Sequence, residues 1–312
     1  MNRIGNSANT PRRLARGRNG INSMHLSRAY RVGKLGISFE LFPPKTAAGE
    51  EEMFRHVEQL MAFRPEFITC TYGAGGSTRD KTLSIVEQVK RRFGCPTASH
   101  LTCVGATVDE LRGYLREATM RGVDNIVALR GDPPKGQTTF KPVAGGFSFA
   151  NELVGLIRGE FPDFGIAVAG YPESHQEASS PEVDLQNLKR KVESGGDVVI
   201  TQLFYDNADF FRFRDRYQAI GIRVPLVPGI LPVTNLAQIQ RITSLCGAKL
   251  PGRFIAALEK QGDDADCQFQ VGVEFAIGQV QELVGSGIPG IHFYVLNKSP
   301  ATAAVLRAVL LP

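Results

Sequence analysis

The sequence predicts an α/β protein of the (β/α)8 barrel class, also called a TIM barrel. Eight short apolar runs recur along the 312 residues, with segments of helical length between them. The runs show little alternation of polar and apolar residues, which is typical of parallel strands covered on both faces. A doubly wound open sheet is the alternative. It is disfavoured because no dinucleotide-type turn follows the first run.

The spacing of the predicted strands supports eight repeated units. The first seven strand ends lie 26 to 40 residues apart, which is the length of one strand and one helix. The last gap is 67 residues, so extra helices are expected before the final strand, around residues 234–246, 251–261 and 268–285. The predicted strands cover residues 36–40, 66–72, 96–101, 125–132, 165–171, 198–204, 224–230 and 290–297.

Two of the intervening helices carry their own boundary signals. Ser180 can cap a helix whose first position is Pro181, and Gly195 can end it. A second helix is predicted from residue 107 to residue 121, because apolar residues recur there at spacings of three and four.

The charge distribution divides the chain into two regions. The net charge is +5, but residues 1–36 contain eight Lys or Arg and no acid, which leaves 28 basic and 31 acidic residues in the remainder. We therefore predict a disordered basic extension over 1–35 and a barrel catalytic domain over 36–312. The extension has the composition of a transit peptide, and Met24 is a plausible start. No nucleic-acid partner is expected, because nothing basic and aromatic follows it.

Other features exclude further classes of protein. No apolar run approaches the roughly 20 residues that cross a bilayer, so no membrane association is expected. The five cysteines include no CxxC pair, and no metal-binding motif is present, so no metal is predicted. Cysteines without a disulfide pattern indicate a reducing compartment, so a cytoplasmic location is expected. A homo-oligomer that acts on a small molecule is a separate expectation, which the cysteines do not address.

Polar residues follow the predicted strands at or just past their ends. Active sites of (β/α)8 barrels are built at the carboxyl ends of the strands, so these residues are expected to share one face. A single polar strand end can simply meet solvent, but a nearly complete ring indicates a site. The ring contains Glu40, Thr71, Tyr72, His100, Arg130, Gly131, Asp132, Tyr171, Gln202, Asn297 and Lys298.

Glu40 is the strongest candidate for chemistry. It lies in the segment SFELFPP at 38–44, where aromatic and proline residues surround a lone carboxylate. Desolvation there is expected to raise its pKa, and a carboxylic acid that keeps its proton near neutral pH can act as a general acid. The alternative is a buried carboxylate paired with Arg or Lys in the barrel floor.

The segment after the fifth strand offers a second constellation. Asp184 and Lys191 share a helical face, which by default is a solvated surface. Together with Tyr171 and His175 in the preceding loop, the basic residues of this face could instead clamp a diphosphate. His292, inside the last strand, is interpreted as a core histidine.

Several motifs in order make the chain similar to a known family. They are SFELFPPKT at 38–46, TYGAGGSTRDKT at 71–82, HLTC at 100–103, LRGDPP at 129–134, GYPESH at 170–175, DLQNLKRKVESGGD at 184–197, ITQLFYD at 200–206, PGILPV at 228–233 and HFYVLN at 292–297. The chain resembles the methylenetetrahydrofolate reductase family from about residue 36 to residue 312, and that family has the (β/α)8 fold.

The resemblance implies a flavin-dependent reduction of 5,10-methylenetetrahydrofolate to 5-methyltetrahydrofolate by a ping-pong hydride transfer, with FAD as cofactor and NADH or NADPH as co-substrate. It implies that Glu40 protonates N10 of the folate and that Asp132 stabilises the resulting cation. Folate contacts are implied for Asp132, Gln202, Gln238 and Lys298, where the family often has Arg, and Ile242 stands where some members have Phe.

The resemblance also implies a set of cofactor contacts, with Thr71 facing the nicotinamide. The set is Thr71, Tyr72, Ala74, His100, Arg130, Gly131, Asp132, Ala150, Tyr171, His175, Ala178, Asp184, Asn187, Arg190 and Lys191.

Two other classes of function stay open at this stage. One is a flavin-free barrel that transfers a one-carbon group on a folate or pterin, and the other is a folate-binding or partner-binding barrel without chemistry. Bound flavin would discriminate the first from a reductase. The intact Glu40, Asp132 and Gln202 argue against the second.

Overall fold

Eight parallel strands close into a barrel in the computed structural model, which describes residues 25–31, 33–72, 79–133, 136 and 139–310. The strands pair in chain order, and β1 pairs with both β2 and β8. This closure confirms the predicted barrel and excludes the open sheet. The strands are β1 Gly36–Leu41, β2 Phe67–Cys70, β3 Thr97–Thr102, β4 Asn125–Leu129, β5 Gly165–Gly170, β6 Val198–Leu203, β7 Leu226–Ile230 and β8 Gly290–Tyr294.

Helices alternate with the strands and surround the barrel. Three of them lie between β7 and β8, which confirms the extra helices expected in the longest gap. In the described residues the helices are α1 Ala47–Leu60, α2 Arg79–Phe93, α3 Val108–Met120, α4 Ala150–Glu160, α5 Pro181–Glu193, α6 Asn207–Ala219, α7 Leu236–Cys246, α8 Gly252–Glu259, α9 Ala265–Gly285 and α10 Pro300–Leu310.

The two helices with boundary signals begin where they were predicted to begin. Ser180 caps α5 by accepting a hydrogen bond from the N–H of Val183, and proline occupies the first turn. Thr107 caps α3 in a reciprocal capping box with Glu110. These caps fix the loops that precede both helices, and these loops lie at the carboxyl ends of the strands.

The main apolar core lies between the barrel and its helices. Leu111 and Leu115 of α3 and Ile126 of β4 belong to this buried cluster. Burial of this kind contributes about 25 cal/mol per Å² of apolar surface. The rigid barrel that results holds the strand ends in fixed positions.

A second core cluster lies inside the barrel at its amino-terminal end, and it includes residues that the sequence analysis assigned to the basic extension. Leu26, Ala29 and Tyr30 pack there against Phe67 and other strand residues. The segment 25–35, expected to be disordered, is therefore ordered wherever the structure describes it, because its apolar side chains fill the bottom of the barrel. The Arg-rich residues 1–24 lie outside the described residues.

The search for membrane spans gave a negative result for the part of the chain that the structure describes. None of its helices combines the length and the apolar character that crossing a bilayer requires.

Candidate functional site

Three side chains from distant parts of the sequence converge inside the barrel near the carboxyl ends of the strands. Oε2 of Glu40 in β1 lies 3.3 Å from Nε2 of His100 in β3 and 3.6 Å from Nε2 of His292 in β8. Both imidazole nitrogens are buried, and Glu40 is their polar neighbour, since neither has a well-formed hydrogen bond within the described residues. The two rings are therefore directed at one carboxylate oxygen.

The pKa of Glu40 differs from the sequence-based expectation. Burial is the largest single influence and raises the pKa, but the charge and hydrogen bonding of His100, together with those of His292, lower it to about 2. The predicted increase is therefore wrong for this arrangement. The apolar frame of Glu40 was read correctly, but its two imidazole neighbours favour the carboxylate.

A chain of hydroxyl groups continues from His292 towards the bottom of the barrel. Oγ of Ser38 lies 2.7 Å from Nδ1 of His292, and the hydroxyl of Tyr30 lies 2.7 Å from the same Oγ. Ser38 and His292 are paired across β1 and β8, so the barrel closure itself brings these groups together. The side chain of His292 is 1% exposed, as expected for a core histidine, yet it contacts the candidate acid.

The loop after β4 carries Arg130, which forms a two-pronged ion pair. Its Nη1 and Nη2 donate to the two carboxylate oxygens of Glu177 at 2.6 and 2.7 Å. The guanidinium carbon also lies 4.9 Å from the ring centroid of Phe140. The hydrogen bonds that Arg130 donates to Glu177 are the main cause of the raised pKa of Arg130. This pair joins the β4 loop to the loop after β5.

Gly131 adopts a backbone conformation that suits glycine. Its φ is +89°, and a Cβ built there would lie 2.7 Å from Cγ1 of Val104. The chain therefore passes close to the loop after β3 at this point. Asp132 follows and is exposed at the mouth of the barrel.

The loop after β5 brings Tyr171, His175, Asp184 and Lys191 together. The Tyr171 and His175 rings meet edge to face at 4.7 Å, and the N–H of His175 donates to Oδ2 of Asp184 at 3.1 Å. Burial raises the pKa of Asp184 and of Tyr171, and it lowers the pKa of His175. These groups form a partly buried polar surface beside the mouth.

Lys191 supplies a positive charge to this surface. Its Nζ donates to the carbonyl oxygen of Ala169 at 2.6 Å and lies 5.7 Å from the ring centroid of Tyr171. Burial lowers its pKa to about 8, although the nearby Asp184 opposes that shift. An anionic ligand here would restore the charge balance of a desolvated ammonium group.

Apart from Asp132, the predicted folate contacts lie in β6 and in the segments after β7 and β8. Gln202 in β6 accepts a hydrogen bond from the N–H of Leu203, while Gln238 is exposed in the first turn of α7. Ile242 is partly buried against the apolar cluster that contains Tyr294. Lys298 is exposed just past β8.

The remaining predicted cofactor residues are more scattered. The Tyr72 hydroxyl accepts from the N–H of Thr102 and is bound to the end of β3, so its ring is fixed. Thr71 follows β2, with its carbonyl accepting from the hydroxyl of Thr82. Ala74 lies outside the described residues. Ala150 opens α4, Ala178 follows His175 in the loop after β5, and Asn187 and Arg190 are exposed on α5.

Two participants were missed by sequence reasoning. His292 was assigned to the core because it lies inside a strand, and Glu177 carried no motif at all. The pairing of β1 with β8 is the signal that places His292 beside Glu40, and it follows from the predicted barrel. The Arg130–Glu177 pair joins two loops whose separation in space has no local sequence signal.

Comparison with protein families gives a match over most of the chain. The model described as methylenetetrahydrofolate reductase matches residues 25–309. The 5,10-methylenetetrahydrofolate reductases of Salmonella typhimurium strain LT2 and Escherichia coli strain K12 are each 40% identical over 277 residues, which cover 89% of this chain and 91% of theirs. Methylenetetrahydrofolate reductase (NADH) 1 of Arabidopsis thaliana is 39% identical over 284 residues, 88% of this chain and 48% of that protein.

Solved structures share the fold at low sequence identity. A Clostridium thermocellum protein described as binding two copies of 5-methyl-5,6,7,8-tetrahydrofolic acid has a TM-score of 0.58 and 15% identity, covering 89% of this chain and 95% of that one. An oxaloacetate acetylhydrolase in complex with 3,3-difluorooxalacetate has a TM-score of 0.52 and 12% identity, covering 92% and 82%. These similarities show the fold alone.

Proposed function

The chain belongs to the methylenetetrahydrofolate reductase family, and we propose that it reduces 5,10-methylenetetrahydrofolate to 5-methyltetrahydrofolate with bound FAD and NADH or NADPH as reductant. Family membership makes it an oxidoreductase with methylenetetrahydrofolate reductase activity. The cofactor, the order of the two half-reactions and the roles of individual residues are the parts that we propose.

The residues beside the mouth fit a flavin dinucleotide. Lys191 and the exposed Arg190 provide two cations for a diphosphate, and burial already lowers the pKa of Lys191. The close backbone approach at Gly131 leaves no room for a side chain. When bound, FAD supplies the hydride chemistry between the nicotinamide and the folate. Asp184, Asn187 and Arg190 belong to the same proposed binding surface.

The observation that carries the proposal is the position of Glu40. It is a carboxylate with a 19% exposed side chain inside the barrel, faced by the imidazoles of His100 and His292. In our proposal the folate covers the mouth and excludes water. Low polarity then favours a proton on Glu40 over a separated ion pair with the imidazoles. Glu40 thus gives the proton to N10.

Other residues have positioning and electrostatic roles in this proposal. The amide of Gln202 lies inside the barrel, where it can pair with the polar edge of a pterin. The negative charge of Asp132 stabilises the cation that ring opening produces on the folate. Gln238 and Lys298 bind the outer part of the substrate, where Lys298 faces a carboxylate as a point charge.

The proposal extends to the environment of the protein. All five cysteines are unpaired, and Cys70, Cys95 and Cys103 are buried. Unpaired cysteines are usual in reducing compartments, which supports the cytoplasm.

The visible absorption spectrum of the purified protein tests the proposed redox chemistry. Under anaerobic conditions we expect a flavin spectrum that bleaches on addition of NADH or NADPH and returns on addition of methylenetetrahydrofolate. A colourless protein that binds no added FAD would contradict the proposal and favour a flavin-free one-carbon transferase.

The role of Glu40 is tested separately with Glu40→Gln. This variant should retain FAD and oxidise NADH with an artificial acceptor, while folate reduction should fall by about 10²- to 10⁴-fold, the usual contribution of a general acid. The matched control is Glu66→Gln, because Glu66 is a buried carboxylate that pairs with Lys34 at the other end of the barrel. Normal folate turnover in Glu40→Gln would rule out the general-acid assignment.

A further inference from the structure

The segment before β1, which contains Leu26 and Tyr30, packs closely against the amino-terminal end of the barrel. A Cβ built on Gly290 would lie 2.4 Å from Cδ1 of Tyr30, and one built on Gly36 would lie 2.7 Å from the same atom. The backbone N–H of Leu26 donates to Oδ1 of Asn125 at 2.9 Å. Gly36 and Gly290, the first residues of β1 and β8, therefore leave the space that the Tyr30 ring fills. Tyr30 is packed as part of the barrel.

The hydroxyl of Tyr30 leads to the candidate acid through two other side chains. It lies 2.7 Å from Oγ of Ser38, and this Oγ lies 2.7 Å from Nδ1 of His292. Nε2 of the same ring lies 3.6 Å from Oε2 of Glu40. The chain runs from the amino-terminal end of the barrel to the reacting end without an exposed group, since Tyr30 is 4% exposed and Ser38 is fully buried.

The direction of the hydrogen bonds in this chain follows from the donors available. Burial is the main cause that raises the pKa of Tyr30, with a further contribution from the charge of Glu66, so the phenol keeps its proton. If that proton is donated to Ser38, the single proton of Ser38 is free to be donated to Nδ1 of His292. A neutral ring that accepts at Nδ1 carries its own proton on Nε2, which faces Glu40.

We propose that Tyr30 is a positioning residue: its hydroxyl selects the His292 tautomer whose Nε2–H points at Glu40. The catalytic consequence rests on the proposed role of Glu40 as the proton donor. Without the Tyr30 hydroxyl, Ser38 can accept from a protonated Nδ1. Nε2 of His292 then presents a lone pair to the carboxylate and no longer stabilises its charge.

Other groups near Glu40 also affect its carboxylate, so the His292 tautomer can change the pKa of Glu40 only in part. His100 faces the carboxylate from β3 and Tyr294 lies beside it in β8, while Cys70 of β2 is close enough for the charge of Glu40 to affect its pKa. Burial and the charge of Glu40 raise the pKa of Cys70 and of Tyr294, so both stay neutral. His100 is unaffected by Tyr30, and the effect of the tautomer is therefore a partial shift.

The direct test is the ¹⁵N NMR spectrum of histidine-labelled holoenzyme, in the wild type and in Tyr30→Phe. This substitution keeps an aromatic ring packed against Gly36 and Gly290 and removes the hydroxyl. The resonances of His292 are identified by their loss in His292→Gln. The matched control is Tyr217→Phe, because Tyr217 is also buried and donates to the carbonyl of Val224 at 2.8 Å, away from the site.

We expect an unprotonated Nδ1 for His292 in the wild type and in Tyr217→Phe, and a gain of protonated Nδ1 in Tyr30→Phe. An unchanged His292 tautomer in Tyr30→Phe would overturn the proposal. If Tyr30→Phe does not fold, Ser38→Ala is tested instead. This variant breaks the same chain of hydrogen bonds to His292 and leaves the packing of the Tyr30 ring unchanged. It should show the same loss of tautomer preference, and an unchanged tautomer there would overturn the proposal equally.

The pH profile of folate reduction separates this proposal from the proposed function. Loss of one hydrogen-bond donor should move the alkaline limb of the Tyr30→Phe profile to higher pH by up to about one unit, because the less stabilised carboxylate keeps its proton to a higher pH. The Tyr217→Phe profile should match the wild type. A tautomer change with an unmoved profile would support the positioning of His292 by Tyr30 and overturn the general-acid role of Glu40.

Discussion

The side-chain amide of Asn297 brackets the backbone of Phe42. Its Oδ1 accepts from the N–H of Phe42 at 3.0 Å, and its Nδ2 donates to the carbonyl oxygen of Phe42 at 2.8 Å. Asn297 and the preceding Leu296 have φ values of +58° and +47°, which asparagine tolerates better than leucine. The clamp joins the segment after β1, which begins two residues past Glu40, to the segment that carries Lys298.

Removing this clamp should weaken substrate binding more than it slows chemistry. Asn297→Gly keeps a residue that accepts positive φ and removes both hydrogen bonds, so KM for methylenetetrahydrofolate should rise about 5- to 50-fold, corresponding to roughly 1–2 kcal/mol. Asn297→Ala should show the same KM change and lower thermal stability, because alanine adds backbone strain. Steady-state kinetics and thermal unfolding measure the two effects. If KM rises only in the variant that loses thermal stability, the result would contradict a positioning role for Asn297.

The low pKa of Glu40 predicts a contribution to stability that depends on pH. The pKa of the folded state, about 2, lies below the ordinary value of 4.5. Stability from the ionised group is therefore complete above about pH 4.5 and is lost as the pH falls towards 2. The difference in unfolding free energy between wild type and Glu40→Gln should shrink over this range, by on the order of 2–3 kcal/mol.

Urea unfolding at several pH values measures this difference. The control is Glu58→Gln, which changes an exposed carboxylate on α1. A difference between wild type and Glu40→Gln that stays constant from pH 5 to the acid limit would show that the imidazoles do not stabilise the carboxylate.

Because the pKa of Lys191 is lowered, we expect FAD binding to weaken in alkaline solution. Its pKa in the free protein is about 8, and a bound diphosphate should raise that value. The FAD dissociation constant should therefore rise by up to about tenfold per pH unit above 8, while little change is expected below it. Fluorescence titration of the apoprotein with FAD measures this dependence.

Lys191→Met should bind FAD weakly at all pH values and lose the dependence. Lys189→Met is the matched control, since Lys189 lies on the same helix and its Nζ is 3.7 Å from Glu193. A pH dependence that persists in Lys191→Met would assign the titrating group elsewhere.

Substitutions at Gly131 and Gly136 can distinguish the effect of backbone strain from the effect of a steric clash. Their φ values are +89° and +88°, but among the residues that the structure describes only a Cβ on Gly131 would meet another group, Cγ1 of Val104 at 2.7 Å. Alanine at either position costs about 1–2 kcal/mol of backbone strain. Gly131→Ala should additionally displace the loop and lower FAD retention at least about tenfold.

The FAD content after gel filtration measures this retention. Gly136→Ala should keep its flavin despite the same strain. Equal retention in the two variants would show that the close approach at Gly131 does not shape the cofactor site.

Much of the architecture followed from local patterns in the chain. Eight apolar runs at regular spacing predicted the barrel, and the caps at Thr107 and Ser180 predicted two helix starts. These signals are local because strand burial and helix capping depend on residues a few positions apart. For the same reason the polar strand ends could be assigned to one face before any distance was known.

The sequence alone thus determined the fold, the face that carries the site and the choice of Glu40 as candidate acid. Its charge state was decided by the tertiary structure, because the pKa depends on imidazoles that lie 60 and 252 positions away along the chain and reach the carboxylate through barrel closure. The same holds for Tyr30, which composition assigned to a disordered tail and packing places inside the barrel. Charges interact through space, and only the closed barrel brings these groups within a few ångströms of each other.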